Sequence, residues 1–373
     1  MKFCFFGYVS CAINGRTTGG GELQMFLLAK ALALKGHEVV IIDPYSKEKF
    51  VTKEGIKLIN LPNWNKGLKG LRLFCYRIPA LWKVLNEQRA NFYYVRMTTY
   101  LHLIPYLAAL KNGGKFIQSI ASDIDLFSFS KKYRLVYKNN YSVLRVLIEN
   151  LPDHVVFKYL LRRSDYVIVQ HLEQFLYSKS LKTKTVLFPN IIDINNRPAI
   201  QHSRNSYYIY AGAITMLKGA DKLYELIDKL DKTISIMVVG QPVGEKPKAI
   251  FEDLRKLDNV IIKGQLEHKE TVELIANAKA LINTSYFEGF PNIYLEAWSN
   301  GVPVISLNVN PGNIINRYDL GIWCEGDLMK MKSCIEGNEA VNFDKAKLIT
   351  YVTDNHDFNT AADRFLKKID CAV

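Results

Sequence analysis

Several features that would settle the class of this protein at once are missing from its sequence. No Cys-x-x-Cys occurs, and the six cysteines, at 4, 11, 75, 324, 334 and 371, are scattered through 373 residues. A chain of this length needs no disulfide staples, so they read as free thiols of a reducing cytoplasm. The seven histidines are scattered too, which argues against a Cys/His metal cluster. No low-complexity tract and no repeat of solenoid period is present. Long hydrophobic runs are also lacking. The longest nearly uncharged stretch, Met97 to Leu110, holds His102 and Pro105. It is well short of the roughly 20 apolar residues of a membrane span. The opening Met1-Lys2-Phe3-Cys4-Phe5-Phe6-Gly7-Tyr8 is too short for a signal peptide and has no small-residue cleavage site. It reads as a buried first strand.

What is present is ordinary for a globular protein: 49% hydrophobic and 23% charged residues. At roughly 100–200 residues per domain the length implies two domains. The net charge of +13 is unevenly spread. Residues 1–200 hold 29 Lys and Arg against 13 Asp and Glu, giving +16; residues 201–373 hold 20 against 23, giving −3. Such a split points to two halves that meet different partners, although solubility or a lysine-rich composition would also produce it.

Strand and helix patterns alternate along the chain. Lys2–Tyr8, His37–Asp43, Phe92–Val95, Lys115–Ile120, Tyr166–Gln170 and Thr185–Phe188 read as strands, and Glu22–Lys35 as a helix stopped by Gly36. The rhythm restarts with strands Ser206–Ala211, Ile234–Val239, Val260–Lys263, Ala280–Thr284 and Val302–Leu307, and helices Ala220–Leu230 and Lys248–Leu257. This predicts an α/β chain with two doubly wound, Rossmann-like parallel sheets, residues 1–195 and 204–355, facing a cleft. The polar segment 193–206, with Pro198, reads as the linker. Ligands of such sheets sit beyond the carboxyl ends of strands, so the strand-to-helix loops are where function is sought.

Three loops stand out. Thr17-Thr18-Gly19-Gly20-Gly21-Glu22 permits positive φ and close approach of a ligand to a helix N-terminus, although a plain tight turn would look the same. It is not a dinucleotide fingerprint, because Gly-x-Gly-x-x-Gly is absent after that strand. In Gly212-Ala213-Ile214-Thr215-Met216-Leu217-Lys218-Gly219, Lys218 can meet a phosphate where a helix opens, or can simply be solvated. The third, Glu288-Gly289-Phe290-Pro291-Asn292 running on to Glu296, sets two carboxylates at Glu-x7-Glu spacing. Asn292 reads as the helix cap and Gly301 as the stop. Carboxylates accept the paired hydroxyls of a sugar or ribose, and the amides of Gly289, Phe290 and Asn292 can hold hydroxyl or phosphate oxygens. A capping loop with solvated acids is the bland alternative.

Taken together, these segments resemble the retaining, family 4 glycosyltransferases of the GT-B fold. Gly19-Gly20-Gly21-Glu22 with Gly36-His37-Glu38-Val39, Ser164–Gln170, Pro189–Asp193, and above all Glu288–Asn292 with Leu295-Glu296-Ala297 and Gly301–Val304 carry the likeness. The resemblance implies sugar transfer from a nucleotide-sugar donor with retention, with no cofactor and no metal. It places Lys218, beside Gly212, on the donor diphosphate. Glu288, Gly289, Phe290 and Asn292, shaped by Pro291, fall on the sugar, and Glu296 on the ribose. The backbone about Leu266 faces the base, and Gly19 and Gly20 the phosphates. A last helix, about 356–373, is expected to pack back on the first domain. Two positions depart from the family pattern. Ala213 stands where many members have arginine, and Gln118–Asp123 lacks their histidine, leaving Asp123 as the candidate near the reaction centre. Asp123-Ile124-Asp125 also spells the metal-diphosphate triplet of the other major glycosyltransferase fold. Such triplets are common by chance, and the two-domain pattern argues against that fold.

Acceptor recognition in this fold class falls to the basic N-terminal half. Lys131–Lys138, Arg145, Lys158, Arg162 and Arg163 interleave with Tyr133, Tyr137, Tyr141, Leu144 and Ile148, which read as exposed anchors or equally as a core stripe. An anionic membrane surface with a lipid-linked or lipopolysaccharide-type acceptor suits such a face, at the inner side of the membrane. No nucleic-acid module is present. Two other readings stay open: a nucleotide-sugar 2-epimerase of the same architecture, and a non-catalytic sugar-binding relative.

Overall fold

Phe3 and Phe5 are buried on one side of the first strand, Cys4 and Phe6 on the other. That two-sided alternation requires a sheet covered on both faces. In the computed structural model, which describes residues 1–13, 19–68, 71–137, 142–181, 183–195 and 207–369, this is what forms. Two units result: Met1–Ile191 with Phe358–Val373, and Ile192–Asp357.

The first unit holds β1 (Lys2–Phe6), β2 (Glu38–Asp43), β3 (Phe50–Val51), β4 (Lys57–Asn60), β5 (Phe92–Arg96), β6 (Lys115–Ser119), β7 (Tyr166–Val169) and β8 (Thr185–Leu187). They line up as β3-β4-β2-β1-β5-β6-β7-β8, parallel except for β3. Helix Gly20–Leu34 covers one face together with the C-terminal helix Ala361–Lys368, whose Phe365 meets Tyr94 and Phe188. Helices Ile78–Gln88 and Leu103–Asn112 cover the other. The C-terminal segment is a short 3₁₀ turn, Phe358–Thr360, and then this helix, not one helix from 356.

The second unit holds β9 (Tyr207–Ala211), β10 (Ser235–Val239), β11 (Val260–Gly264), β12 (Leu281–Asn283), β13 (Val304–Ser306) and β14 (Gly321–Trp323), all parallel, in the order β11-β10-β9-β12-β13-β14. Tyr207 and Ile209 pack under helices His268–Ala276, Asn292–Ser299 and Lys345–His356; Tyr208 and Tyr210 pack under Ala220–Lys229, Glu245–Leu254 and Leu328–Glu336. The order reverses between β9 and β12, so the crevice at their carboxyl ends is the favoured ligand position.

The first unit ends at Ile191, earlier than the sequence suggested. Gln24, buried on the first helix, donates to the Ile191 carbonyl (2.8 Å) and accepts from its N–H (2.7 Å). Ile192 already donates to His356 in the second unit. The expected linker residues 196–206 lie outside the described residues, as do Thr17, Thr18, Lys138 and Tyr141. Cys4, Cys11, Cys75, Cys324 and Cys334 are unpaired thiols; Cys371 lies outside the described residues. Among the described residues, no helix is long and apolar enough to cross a membrane.

Candidate functional site

The loop after β9 turns sharply onto its helix. Gly212 sits at φ +149° and Gly219 at φ +69°, conformations that L side chains rarely adopt. A Cβ on Gly219 would lie 2.0 Å from the Thr284 carbonyl oxygen, and one on Gly240 1.9 Å from that of Gly212. The glycines thus let backbones touch where β9, β10 and β12 end. Thr284 Oγ1 donates to the carbonyls of Lys218 (3.1 Å) and Gly219 (3.0 Å), and the Tyr286 N–H donates to Leu217. These bonds stitch the Lys218 turn to the loop carrying Glu288.

The two side chains meet. Lys218 Nζ lies 2.6 Å from Glu288 Oε1, which also accepts from Ser285 Oγ at 3.0 Å. The Glu288 side chain is 18% exposed and that of Lys218 38%. Part of the pair is therefore open to a ligand, while the carboxylate is held from two directions. Glu296 is buried in the helix Asn292–Ser299, and its Oε1 lies 3.0 Å from His268 Nε2. That bond raises the His268 pKa against the opposing effect of burial. Gly289, Phe290 and Pro291 are buried; Phe290 spends its ring in the core, 5.0 Å from that of His356. Leu266 is half-buried against the same core, just after Gly264 at φ +68°. Ala213 is exposed, and its carbonyl accepts from Tyr210.

Two expectations are corrected. The cap of the 292–299 helix is Pro291, in extended conformation, and Asn292 is already helical. Proline suits this boundary because its φ is fixed and it has no N–H to leave unsatisfied. Gly19, Gly20 and Gly21 have no positive φ: Gly19 is extended and caps the helix with its carbonyl, and the other two are helical. Gly21 is packed against the chain itself: a Cβ there would come within 3.1 Å of Met97 and 3.8 Å of Ala121.

In the first unit, Asp123 and Asp125 take different roles. Asp125 caps its own turn, accepting from the N–H groups of Ala121 (3.2 Å) and Ser122 (3.0 Å) and from Thr98 Oγ1 (2.9 Å). With both oxygens so engaged, Asp125 forms a capping box with Ser122 here. Asp123 Oδ1 is instead bonded to His171 Nε2 (2.8 Å) and Gln174 Nε2 (2.7 Å).

Sequence reasoning missed His268 and His171. Each lies far from its carboxylate in the chain, by 28 and 48 residues, and no local spacing marks either one.

Comparisons with known proteins agree with this architecture. Residues 193–330 match the family model described as glycosyl transferases group 1. An uncharacterized glycosyltransferase of Methanocaldococcus jannaschii is 27% identical over 42% of this chain and 43% of its own. A phosphatidylinositol N-acetylglucosaminyltransferase component of Homo sapiens is 24% identical over 87% of this chain and 66% of its own. The chain therefore spans less than two-thirds of the length of these curated relatives. Among solved structures, sucrose-phosphate synthase of Thermosynechococcus elongatus superposes with a TM-score of 0.76 at 15% identity, over 100% of both chains. HepE of Anabaena, in complex with UDP-glucose, superposes with a TM-score of 0.69 at 13% identity, also over 100% of both. With two parallel-sheet units, this strand-end site and these matches, the chain has the GT-B fold, and residues 193–330 match the group 1 glycosyltransferases.

Proposed function

We propose that this protein is a retaining glycosyltransferase that moves a sugar from a nucleotide-sugar donor to a glycan or lipid-linked glycan acceptor, in the synthesis of a surface polysaccharide, lipopolysaccharide or glycolipid. The observation that carries the reading is the Lys218–Glu288 contact of 2.6 Å at the carboxyl ends of β9 and β12. It is supported by Glu296 with His268 along the same loop and helix, and by the likeness to HepE, a protein held with UDP-glucose.

Sugar transfer must stabilise a departing diphosphate and an oxocarbenium-like sugar. The Lys218 ammonium serves the first, and Glu288 the second, in a site partly closed to water. Gly212 lets the diphosphate approach the backbone beside Lys218. The backbone of Gly289, Phe290 and Asn292 holds the sugar, with Pro291 fixing the loop. Glu296, oriented by His268, takes the ribose hydroxyls, and the turn at Leu266 faces the base. The acceptor oxygen attacks the anomeric carbon as the carbon–phosphate oxygen bond breaks, and the acceptor proton passes to the departing diphosphate. Lys218 supplies positive charge from the protein itself, so the reaction as drawn calls for no metal.

The acceptor belongs to the first unit and an anionic membrane surface. Leu144 and Ile148 are 67% and 61% exposed, and Val143, Leu147 and Val155 are exposed beside them. Val146 faces the core instead, so Leu144 and Ile148 are not part of a core stripe. Tyr133 and Tyr137 are half-buried. Exposed apolar side chains among Lys131, Arg134, Arg145 and Arg162 suit peripheral binding at the inner membrane face.

Thermal-shift titration with UDP-, GDP- and ADP-sugars tests the donor site, because a bound ligand raises stability by mass action. One class is expected to stabilise the wild type and neither Lys218→Ala nor Glu288→Ala. No stabilisation by any of the three overturns the assignment, and donor epimerised in the absence of acceptor favours the 2-epimerase.

A further inference from the structure

Asp123, Glu173, Gln174 and the ring of His171 form one connected group at the carboxyl ends of β6 and β7. Asp123 opens the short turn after β6, and His171 follows β7 as the cap of helix Leu172–Lys179. The His171 side chain is 4% exposed, yet it lies between two carboxylates: Nε2 is 2.8 Å from Asp123 Oδ1 and Nδ1 is 2.6 Å from Glu173 Oε2. Gln174, fully buried, donates to the same Asp123 Oδ1 and accepts from the Gln170 N–H (2.9 Å). Gln170 in turn donates to the Ile120 carbonyl (2.9 Å), so the ends of the two strands are tied together.

All of this ordering acts on one oxygen of one carboxylate. Asp123 Oδ2 carries no hydrogen bond among the described residues, and the side chain remains 35% exposed. Asp125, two residues on, shows what a purely structural aspartate does in this turn: Oδ2 caps it and Oδ1 accepts from the Thr98 hydroxyl, so neither oxygen is left. Ala121, two residues before Asp123, packs against Gly21 at the start of the first unit's glycine-led helix. Asp123 therefore stands among the strand-end loops rather than on a remote face.

We propose that His171 is a positioning residue: its ring, steadied by Glu173, fixes Asp123 through Oδ1 so that Oδ2 receives a hydroxyl of a polyhydroxylated acceptor. A carboxylate oxygen accepts a hydroxyl hydrogen but repels a phosphate, so the ligand class is a sugar or polyol hydroxyl. The charged groups that face the ring are Asp123, from the β6 loop, and Glu173, on its own helix. Burial opposes the charged ring, but its bonds to these two outweigh burial and hold it protonated, its pKa pushed up to about 9. The inference rests on the sugar-transfer reading above.

The test compares His171→Leu, His171→Gln and Asp123→Asn with wild type, in donor thermal shift and in kcat and KM for the acceptor between pH 6 and 10. His171→Leu is expected to lower kcat with the acceptor about 100-fold while the donor-induced shift is unchanged. His171→Gln retains a donor toward Oδ1, so it should recover to within about tenfold and lose the alkaline fall of the wild-type rate. Wild-type transfer together with a His171→Leu rate within twofold of it overturns this inference alone. So does a His171→Gln variant that matches His171→Leu and keeps the wild-type pH profile. A wild type that binds no nucleotide sugar and transfers none overturns the sugar-transfer reading, and this inference with it.

Discussion

Beyond β9 and β12 a surface-reaching ammonium, Lys218, holds Glu288; beyond β7 and β6 a buried imidazole, His171, holds Asp123. Both pairs fix a carboxylate, but they differ in what is left for a ligand. In the second unit the cation itself is open, with 38% of its side chain exposed, so it can change partners when an anion arrives. In the first unit the cation is sealed and only the carboxylate oxygen looks outward. One arrangement suits a phosphate, the other a hydroxyl. The contrast runs opposite to the overall charge: the half with +16 carries the acid-facing site, and the half with −3 carries the exposed lysine. Net charge therefore reports the outer surface of each unit, not its strand-end chemistry.

The comparison is broken most directly by removing the open pair. On the proposed function, Glu288→Ala should lower kcat by about 100- to 1,000-fold with the urea midpoint little changed, since a preorganised charge at a reacting centre is worth that much. Steady-state kinetics with denaturant melts separate the two effects.

Backbone closeness differs between the units in the same sense. Gly219→Ala places a Cβ 2.0 Å from a backbone oxygen at positive φ, and should cost at least about 3 kcal/mol. Gly21→Ala meets side-chain atoms only, Met97 at 3.1 Å and Ala121 at an ordinary 3.8 Å. Its strain is offset by about 1 kcal/mol of helix propensity, so urea unfolding should find it near neutral.

The sealed imidazole sharpens the comparison through pH. The folded pKa of His171 is raised from 6.5 to about 9. Its contribution to stability is therefore complete below pH 6.5 and is lost as pH rises through 9. Urea midpoints should fall over that window in wild type, and this component should be missing from His171→Gln.

The smallest effect on folding is expected outside both sites. Leu144→Asp with Ile148→Asp should change stability by less than about 0.5 kcal/mol per site, because both side chains are exposed. Flotation with anionic vesicles at low salt should nevertheless fall sharply. Equal flotation of variant and wild type would remove the membrane role of this face.

Much of this was legible in the sequence where the signal is local. Strand runs such as Tyr207–Ala211 are apolar on both faces and could be read directly, and the Glu-x7-Glu loop named both of its carboxylates. What stayed hidden depends on distance in the chain or on shape. His268 and His171 acquire meaning only when folding brings them to Glu296 and Asp123. The helix Asn292–Ser299 is buried almost all round, so no period marks its start, and Asn292 looked like a cap because asparagine so often is one. The short strands β3, β4 and β14 were not read, since two to four residues show too little alternation to stand out. At Gly19–Gly21 residue type suggested a left-handed turn, whereas packing against Met97 is what the fold asks of Gly21.

The Lys218–Glu288 contact has a kinetic consequence. On the proposed function, an incoming donor diphosphate would have to take the ammonium away from a carboxylate that already holds it, so capture would be an exchange rather than a simple addition. Once the sugar had gone, Glu288 would be free to reclaim its lysine, and the spent nucleoside diphosphate would face an internal competitor at every moment of its stay. Product residence would thereby be shortened by the same side chain that prepares the site for the next donor.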